Sequence, residues 1–365
     1  MTKALTSRDI ADRLRGTEAL SEKALNLSVF DWRLRIRSNS PALLERLQDY
    51  FAHVTDSNTE CDAEVIAIDG AAPDLALIFH DWAREPGKTG RKDSYVDLSD
   101  GRVIRKVRTG MVFLQSETQR IAAGPCLQND NQVINFINAQ IMNRLQQHGW
   151  LICHAAAFVR ADSAYAVAGF SGNGKSTLML QALERADCAY LTNDRLFLQR
   201  FGDQTDARGI PKMPRINPGT LLHNKRLCGL LDTEQQQRLR EMPDDTLWDL
   251  EEKHDVLIAR HYGANRVVQQ APLAGLLILN WSRRSNQATR VEPCSIAERP
   301  DLLGAVMKSP GPFYQYADGH FFSDKTALDP APYIDSLAET AVFEATGSIN
   351  FDKAIQAFVE QTTTN

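Results

Sequence analysis

The stretch Gly169-Phe-Ser-Gly-Asn-Gly-Lys175-Ser176 constrains the fold most, because it satisfies the pattern G-x-x-x-x-G-K-[ST] in full. The apolar segment AYAVAG precedes it, and a helical pattern from about Lys175 to Ala186 follows it. A strand, a glycine-rich turn and a helix in this order predict a phosphate-binding loop. Glycines let successive N–H groups face phosphate oxygens, and the helix N-terminus adds a favourable partial charge. Later strands and helices alternate, which predicts an α/β fold.

The lysine and the serine of this loop have separate predicted tasks. Lys175 would neutralise the outer phosphates of a nucleotide, and the Ser176 hydroxyl would complete a Mg²⁺ shell. The predicted nucleotide contacts are Gly169, Ser171, Gly172, Asn173, Gly174, Lys175, Ser176 and Thr177.

A carboxylate that holds the metal is expected at the end of an apolar strand, where ligands of α/β sheets gather. CAYLTND ends in Asp194, whereas AGLLILNW ends in the uncharged Asn280. We therefore predict that Asp194 and Ser176 hold the metal, with a turn or helix cap as the alternative for Asp194. His154 lies in LICHAAAF, just before the strand of the loop. It is either a packed core histidine or, if the two strands are neighbours, a residue near the phosphates.

The chain divides into two predicted domains. Residues 1–128 form a mixed α+β domain, and residues 129–365 form the domain with the glycine loop; AAGPCLQNDN is the expected linker. In the first part SNSPALLERLQDYF predicts a helix, LALIFHDW a strand and Asp100-Gly101 a hairpin turn. NQVINFINAQIMNRLQQHG predicts a helix that opens the second part. The acidic stretch LWDLEEKHDV is interpreted as a solvated helix face.

Composition excludes several classes of protein. The 365 residues carry 41 Lys and Arg against 46 Asp and Glu, a net charge of −5, so we expect neither nucleic acid nor a membrane as partner. The first residues lack an apolar signal core, and the six cysteines form no C-x-x-C pair. A cytoplasmic location is predicted.

The segment CHAAAFVRADSAYAVAGFSGNGKSTLMLQALERADCAYLTNDRL resembles the core of HPr kinase/phosphorylase and its relatives, in particular the HPr-kinase-related kinase B group. The similarity covers about residues 131–215, with weaker support from AVFEATGSINFDKAIQAF. It implies a P-loop kinase core of the HPr kinase/phosphoenolpyruvate carboxykinase type. It also implies that Asp194 matches the second carboxylate of the family's Asp-Asp pair and that His154 matches its active-site histidine. Arg215, in RGIPKMPRINPGT, falls where the family has a loop that engages phosphate and substrate; an exposed basic loop is the alternative.

One position departs from the family pattern. The first Asp of the pair, the family's general base, is Asn193 here, and an amide does not accept a proton at neutral pH. The resemblance implies an ATP- and Mg²⁺-dependent kinase whose acceptor is a serine hydroxyl of a small protein or peptide. The alternatives are a small-metabolite kinase, such as one for a hydroxy amino acid, and a nucleotide-dependent switch without phosphotransfer. A homo-oligomer is compatible with the same resemblance.

Overall fold

The fold is described from a computed structural model that covers residues 5–84, 89–170 and 172–364. The chain divides into two compact units, and both mix helices with strands. The first unit runs to Gly149 and includes Ser309–Leu328; the second comprises Trp150–Lys308 and the chain from Asp329 onward. The expected division after residue 128 therefore differs from the observed one, because the helix that follows the expected linker belongs to the first unit.

The first unit is built on one mixed sheet. Its described strands are β1 (Leu25–Val29), β2 (Trp32–Ser38), β3 (Ala63–Asp69), β4 (His80–Asp81), β5 (Asp93–Asp97), β6 (Gly101–Lys106), β7 (Val112–Ser116) and β8 (Arg120–Gly124). They lie in the order β1-β2-β3-β8-β7-β6-β5-β4, with β3 parallel to both neighbours and the other pairs antiparallel. The helices are α1 (Ser7–Arg15), α2 (Pro41–Tyr50) and α3 (Asp130–Gln147), with a 3₁₀ turn at Ala52–Val54.

Local sequence explains several of these elements. The Ser40 hydroxyl accepts a hydrogen bond from the Leu43 N–H and Pro41 occupies the first turn of α2, as expected. The β5–β6 hairpin turns at Asp100-Gly101, as expected, with Asp97 opposite Arg102. LALIFHDW, by contrast, is wrong as a continuous strand: β4 keeps only His80–Asp81, because Ala76 has a φ of +50° that extended backbone does not adopt.

A buried arginine attaches the returning segment Ser309–Leu328 to the first unit. Arg102 is 3% exposed and forms an ion pair with Asp97 at 2.5 Å. Its Nη1 donates to the carbonyls of Phe322 at 2.9 Å and Pro312 at 3.2 Å. Its guanidinium also lies over the rings of Trp82, Tyr95 and Phe321. The charge of Arg102 is therefore satisfied by partners from both parts of the chain.

The second unit contains the glycine loop. Its described strands are β9 (Leu151–Cys153), β10 (Ala155–Arg160), β11 (Ser163–Gly169), β12 (Cys188–Thr192), β13 (Leu196–Phe201), β14 (Gln204–Gly209), β15 (Arg215–Ile216), β16 (His254–Asp255), β17 (Gln270–Leu279), β18 (Arg290–Pro293) and β19 (Ala341–Thr346). The main sheet has the order β12-β10-β11-β17-β14-β13-β9, and β19 pairs with both β17 and β18. Strands β11, β17 and β19 are parallel, so their carboxyl ends meet at one edge.

The second unit also contains eight described helices. They are α4 (Lys175–Leu183), α5 (Pro218–His223), α6 (Thr233–Arg240), α7 (Asp244–Asp249), α8 (Ile258–Tyr262), α9 (Pro300–Val306), α10 (Ala331–Ser336) and α11 (Phe351–Thr364), with 3₁₀ turns at Cys228–Leu230 and Ala264–Arg266. Of these, α4, α9, α10 and α11 pack against its sheet. Strands β10 and β11 are rich in buried alanine, which lets α4 and α9 approach the sheet closely. Among the described residues no helix is both long and apolar enough to cross a membrane.

Candidate functional site

Three chain segments meet at the carboxyl end of β11. Strand β10 runs antiparallel to β11 with Ala155 opposite Ala168, so His154 lies beside the end of β11. On the other side of β10, Ala157 lies opposite Thr192 at the end of β12, two residues before Asp194. His154 is not inside a continuous strand, as LICHAAAF suggested, but in the break between β9 and β10. Its N–H donates to the Val306 carbonyl at 2.7 Å.

The glycine loop joins β11 to α4, as the sequence predicts. Gly172 and Gly174 have φ values of +86° and +87°, which favour glycine. Lys175 is buried and folds back along the loop, with its Nζ donating to the Gly169 carbonyl at 2.6 Å and lying 3.5 Å from that of Phe170. Ser176 is the second residue of α4. Ser171, a predicted nucleotide contact, lies outside the described residues.

Two of the predicted phosphate contacts hold the loop in place through their side chains. The Asn173 amide donates to the Leu279 carbonyl at 2.8 Å, and the Asn173 carbonyl accepts from Trp281 at 2.9 Å. The Asn173 N–H also donates to the Phe170 carbonyl at 3.2 Å. The Thr177 hydroxyl is 3.0 Å from that of Thr220 at α5. Asn173 and Thr177 therefore anchor the loop to β17 and α5.

His154, Asp194 and Arg195 form a contiguous polar group. His154 Nε2 lies 3.2 Å from Asp194 Oδ1, and Arg195 Nη1 contacts Asp194 Oδ2. The Thr192 hydroxyl donates to the Arg195 carbonyl at 2.9 Å, which fixes the turn that carries Asp194. The side chains of His154 and Asp194 are 23% and 37% exposed, so both can be reached from solvent.

The surrounding charges set the protonation states of this group. Burial opposes ionisation of Asp194, but the charge of Arg195 and the hydrogen bond from His154 outweigh it and hold the pKa of Asp194 well below its usual range. The hydrogen bond with Asp194 raises the pKa of His154, but burial and the positive charges of Lys175 and Lys308 together lower it below 6.5. At neutral pH Asp194 is therefore an anion and His154 a neutral imidazole.

Lysines from three further segments contribute to the electrostatics of the site. Lys308 follows α9 next to Met307, which bridges to Cys153, and its charge affects His154, Asp194 and Lys175. Burial lowers the pKa of Lys175 to about 8; Asp194 opposes this shift, and the charges of Lys308 and Lys253 add to it. Burial likewise lowers the pKa of Lys212 to about 8, together with the charge of Arg195.

Arg215 lies near this group but has its own partners. Its Nη2 donates to the Lys253 carbonyl at 3.1 Å, and its Nε lies 3.3 Å from Asp255 Oδ1 on β16. Its positive charge contributes to the lowered pKa of Lys212. The structure therefore brings Arg215 beside Lys212 rather than into direct contact with His154 or Asp194 among the described ion pairs.

Sequence reasoning did not single out several residues of the site. Arg195 follows Asp194 directly, whereas Lys308 follows a helix without any motif. Lys253 falls in the stretch interpreted as a solvated helix face, but α7 ends at Asp249 and Lys253 lies outside the helices and strands, directly before β16. Gly209 at the end of β14 is also required, since a Cβ there would overlap the Leu191 carbonyl oxygen of β12.

The site offers few protein ligands for a metal ion, so it suits a cation that is held mostly by water and substrate phosphates. Among the described residues no group of three or more His, Cys, Asp and Glu is arranged to hold a metal by itself. Asp194 supplies one carboxylate beside the loop of Ser176, and the buried Asn193 Oδ1 has no hydrogen-bond partner among the residues that the structure describes. Mg²⁺ typically binds one or two carboxylates together with water and substrate phosphates, so these donors fit it.

Comparisons with known proteins add little to this description. No protein family matches the sequence, and none of the curated proteins does. Among solved structures, the Hpr(Ser) kinase/phosphatase from Coxiella burnetii aligns with 57% of this chain and 91% of its own, with 11% identity and a TM-score of 0.27. A score this low does not establish a common fold.

Proposed function

We propose that this chain is an ATP-dependent kinase that transfers the γ-phosphoryl group to a hydroxyl. The observation that carries the proposal is the convergence of the glycine loop, His154 and Asp194 at one sheet edge. The loop pattern and the order of histidine, loop and Asp194 along the chain support it independently. The cations Lys175, Lys308, Lys212 and Arg195 around Asp194 provide the positive potential that a polyphosphate requires.

In this proposal the glycine loop and Lys175 bind the phosphates. Lys175 would exchange its bond to the Gly169 carbonyl for the β- and γ-phosphate oxygens. Ser176 and Asp194 would hold Mg²⁺, which neutralises charge that develops on the phosphates when it is bound. Each Asp194 oxygen keeps one lone pair beside its contact with His154 or Arg195, so the carboxylate can also reach a metal-bound water.

His154 is placed to receive the proton of the acceptor. A neutral imidazole that donates Nε2–H to Asp194 carries its lone pair on Nδ1. The step breaks the bond between the γ-phosphorus and the bridging oxygen and forms a bond to the acceptor oxygen; the hydroxyl proton goes to Nδ1, and the nucleoside diphosphate leaves. Because Asn193 cannot take that proton, His154 replaces the carboxylate base of the family.

Two classes of hydroxyl fit this reaction. The acceptor is a serine of a small protein or peptide, or the hydroxyl of a small metabolite. A second candidate function, a nucleotide-dependent switch without an acceptor, is favoured by a specific observation: an amide stands at Asn193, where the resemblance implies a base.

The proposal is tested with labelled ATP and Mg²⁺ together with cell extract or pooled metabolites. Label in a protein band, in a small molecule or only in free phosphate separates the two acceptor classes from the switch. Lys175→Ala should weaken Mg·ATP binding about ten- to a hundredfold, because it removes a charge-assisted contact. Lys225→Ala is the matched control, since Lys225 is exposed and distant in sequence from the loop.

His154→Gln separates base catalysis from binding. We expect ATP affinity within about threefold of wild type and transfer lowered by about 10²-fold or more, the scale of general base catalysis. Normal transfer by this variant would show that the histidine only packs. Unchanged ATP affinity in a folded Lys175→Ala variant would contradict the nucleotide site itself.

A further inference from the structure

His154 lies where the chain changes strand neighbours, so its backbone depends on contacts outside the sheet. Strand β9 pairs with β13 up to Cys153, and β10 pairs with β11 from Ala155 onward. Among the described strand pairs, His154 between them has no opposite residue. Its N–H donates instead to the carbonyl of Val306, the last residue of α9, at 2.7 Å. The place of His154 therefore depends on the end of α9.

The end of α9 is joined to this strand at a second point, through a tyrosine. Cys153 bridges antiparallel to Met307. On the side of this bridge away from His154, the Tyr333 hydroxyl donates to the Ile152 carbonyl at 2.8 Å. The same hydroxyl accepts a hydrogen bond from the Lys308 N–H at 3.2 Å. One hydroxyl group therefore connects the two chain segments that hold the backbone of His154.

The position of Tyr333 is itself fixed. Tyr333 lies on α10, is 3% exposed, and packs in the core of the second unit. The Thr205 hydroxyl of β14 donates to the Ser336 carbonyl at 2.8 Å and so attaches α10 to the sheet. Burial raises the pKa of Tyr333, so its hydroxyl stays protonated and able to donate. A buried phenol needs hydrogen-bond partners, and here the partners lie on the segments beside His154.

The hydrogen bond to Lys308 also closes an excursion of the chain. Lys308 is the last residue before the chain leaves the second unit, and the chain returns at Asp329, shortly before Tyr333. The Lys308 N–H is bound to Tyr333 across this excursion. The end of α9 is therefore attached to the second unit at the point where the chain departs.

We propose that Tyr333 is a positioning residue of the phosphoryl transfer: its hydroxyl holds Ile152 and Lys308 together and so fixes the backbone from which His154 reaches Asp194. The inference rests on the proposed kinase function and adds a residue to it. Tyr333 is buried, so it acts through His154 and not on the nucleotide. A misplacement of about 1 Å can slow an enzyme reaction on the order of 10²-fold. Loss of the hydroxyl should therefore affect the transfer step far more than nucleotide binding.

The test is Tyr333→Phe, which keeps the ring and removes the hydroxyl. Its readout is the apparent kcat for transfer of label from Mg·ATP to the fraction of cell extract, or the metabolite pool, that accepts it. We expect this kcat to fall at least about tenfold and KM for ATP to change less than about twofold, because the glycine loop is untouched.

Tyr262→Phe is the matched control. Tyr262 is 8% exposed, and its hydroxyl donates to Glu184 Oε1 at 3.1 Å, beyond the end of α4 that is opposite the glycine loop. This variant also loses one hydrogen bond of a buried phenol. Its unfolding midpoint should fall about as much as that of Tyr333→Phe, whereas its kcat should equal that of wild type.

A double-mutant cycle separates positioning from a structural role alone. In a His154→Gln background, Tyr333→Phe should lower kcat by less than about twofold more, because the group that the hydroxyl positions is already absent. An equal fall in both backgrounds, a normal kcat in Tyr333→Phe, or a fall of the same size in Tyr262→Phe would overturn the proposal. If Tyr333→Phe does not fold, Thr205→Val replaces it, because it loosens α10 and leaves the hydroxyl in place. A kcat at least about threefold lower, with His154 present only, then supports the proposal, and an unchanged kcat overturns it.

Hydrogen exchange of the full chain without nucleotide tests the contact independently of transfer. The amides of His154 and Lys308 should exchange at least about tenfold faster in Tyr333→Phe than in wild type, and at the wild-type rate in Tyr262→Phe. Unchanged protection of both amides would contradict the positioning role. A wild-type chain that transfers no phosphate to any acceptor would refute the kinase function, and the exchange rates would still decide whether Tyr333 holds the backbone of His154.

Discussion

Gly174 shows how a single residue of the loop is constrained in two ways. Its φ of +87° is costly for any residue with a Cβ, and a Cβ there would lie 2.8 and 2.9 Å from two atoms of the Phe351 ring. Gly172 has nearly the same φ, +86°, but a Cβ there would meet nothing within 4 Å. A substitution at Gly172 therefore introduces backbone strain alone, whereas one at Gly174 introduces the same strain and a steric overlap.

We predict that Gly172→Ala lowers stability by about 1–2 kcal/mol, the cost of a left-handed residue. Gly174→Ala should cost roughly 1–3 kcal/mol more, because the Phe351 ring must move. The difference is measured as the shift in thermal unfolding midpoint of the two variants under the same conditions. Equal shifts in the two variants would mean that the Phe351 ring moves aside without loss of stability.

At the scale of elements, the 3₁₀ turn at Ala52–Val54 carries a half-buried histidine whose Nε2 is buried. His53 Nε2 has no hydrogen-bond partner among the described residues, and burial lowers the pKa of His53 to about 4. The turn follows α2 directly, and Thr55 next to it bridges to Leu27 of β1. Protonation of His53 therefore acts on the connection between α2 and the edge of the sheet.

We predict that this histidine makes the protein less stable in mild acid. The pKa of His53 in the folded protein lies below the unfolded value of 6.5, so the unfolded chain binds a proton more readily. The stability that neutral His53 allows is therefore fully present above pH 6.5 and is lost as the pH falls from 6.5 towards 4. Between pH 6.5 and 5, this histidine should lower the free energy of unfolding of wild type by on the order of 1–2 kcal/mol. In His53→Leu this loss is absent, so the unfolding midpoint should depend less on pH over the same range. Parallel curves for the two proteins would assign the acid sensitivity to other groups.

The elements best predicted from the sequence are those with strong local signals. The cap at Ser40, the turn at Asp100-Gly101 and the strand CAYLT need no long-range information, and all appear in the structure. The break at His154 was not predicted, because it depends on the pairing of β9 with β13 and of β10 with β11. Periodicity within a segment does not report that a strand changes neighbours.

The same distinction applies to the site. Glycines and lysine of the loop are contiguous in sequence, so their pattern is visible. The backbone of Lys212 is held beside β12 by the hydrogen bond from the Tyr190 hydroxyl, Lys308 lies in the chain that follows α9, and no spacing rule links the two. The role of an isolated lysine is decided by which carboxylates fold next to it, and the sequence alone does not contain that pairing.

At the scale of the whole molecule, the first unit is built from two separate segments of the chain. The first unit needs Ser309–Leu328, which comes after Trp150–Lys308 of the second. Arg102 is buried among groups from this late segment, including the carbonyls of Pro312 and Phe322. Until that segment is present, the arginine lacks these acceptors and the aromatic face of Phe321.

This arrangement has a consequence during synthesis on the ribosome. At roughly 5–20 residues per second, the first unit must wait on the order of 10–40 seconds between the emergence of Gly149 and that of Leu328. We predict that nascent chains stalled before Ser309 leaves the ribosome expose the first unit to protease, whereas chains stalled well after Leu328 protect it. Arg102→Ala should keep the longer chains sensitive, and early protection would refute the delay. A nascent chain of this protein therefore presents a first unit that lacks Ser309–Leu328 to chaperones while most of the second unit is being translated.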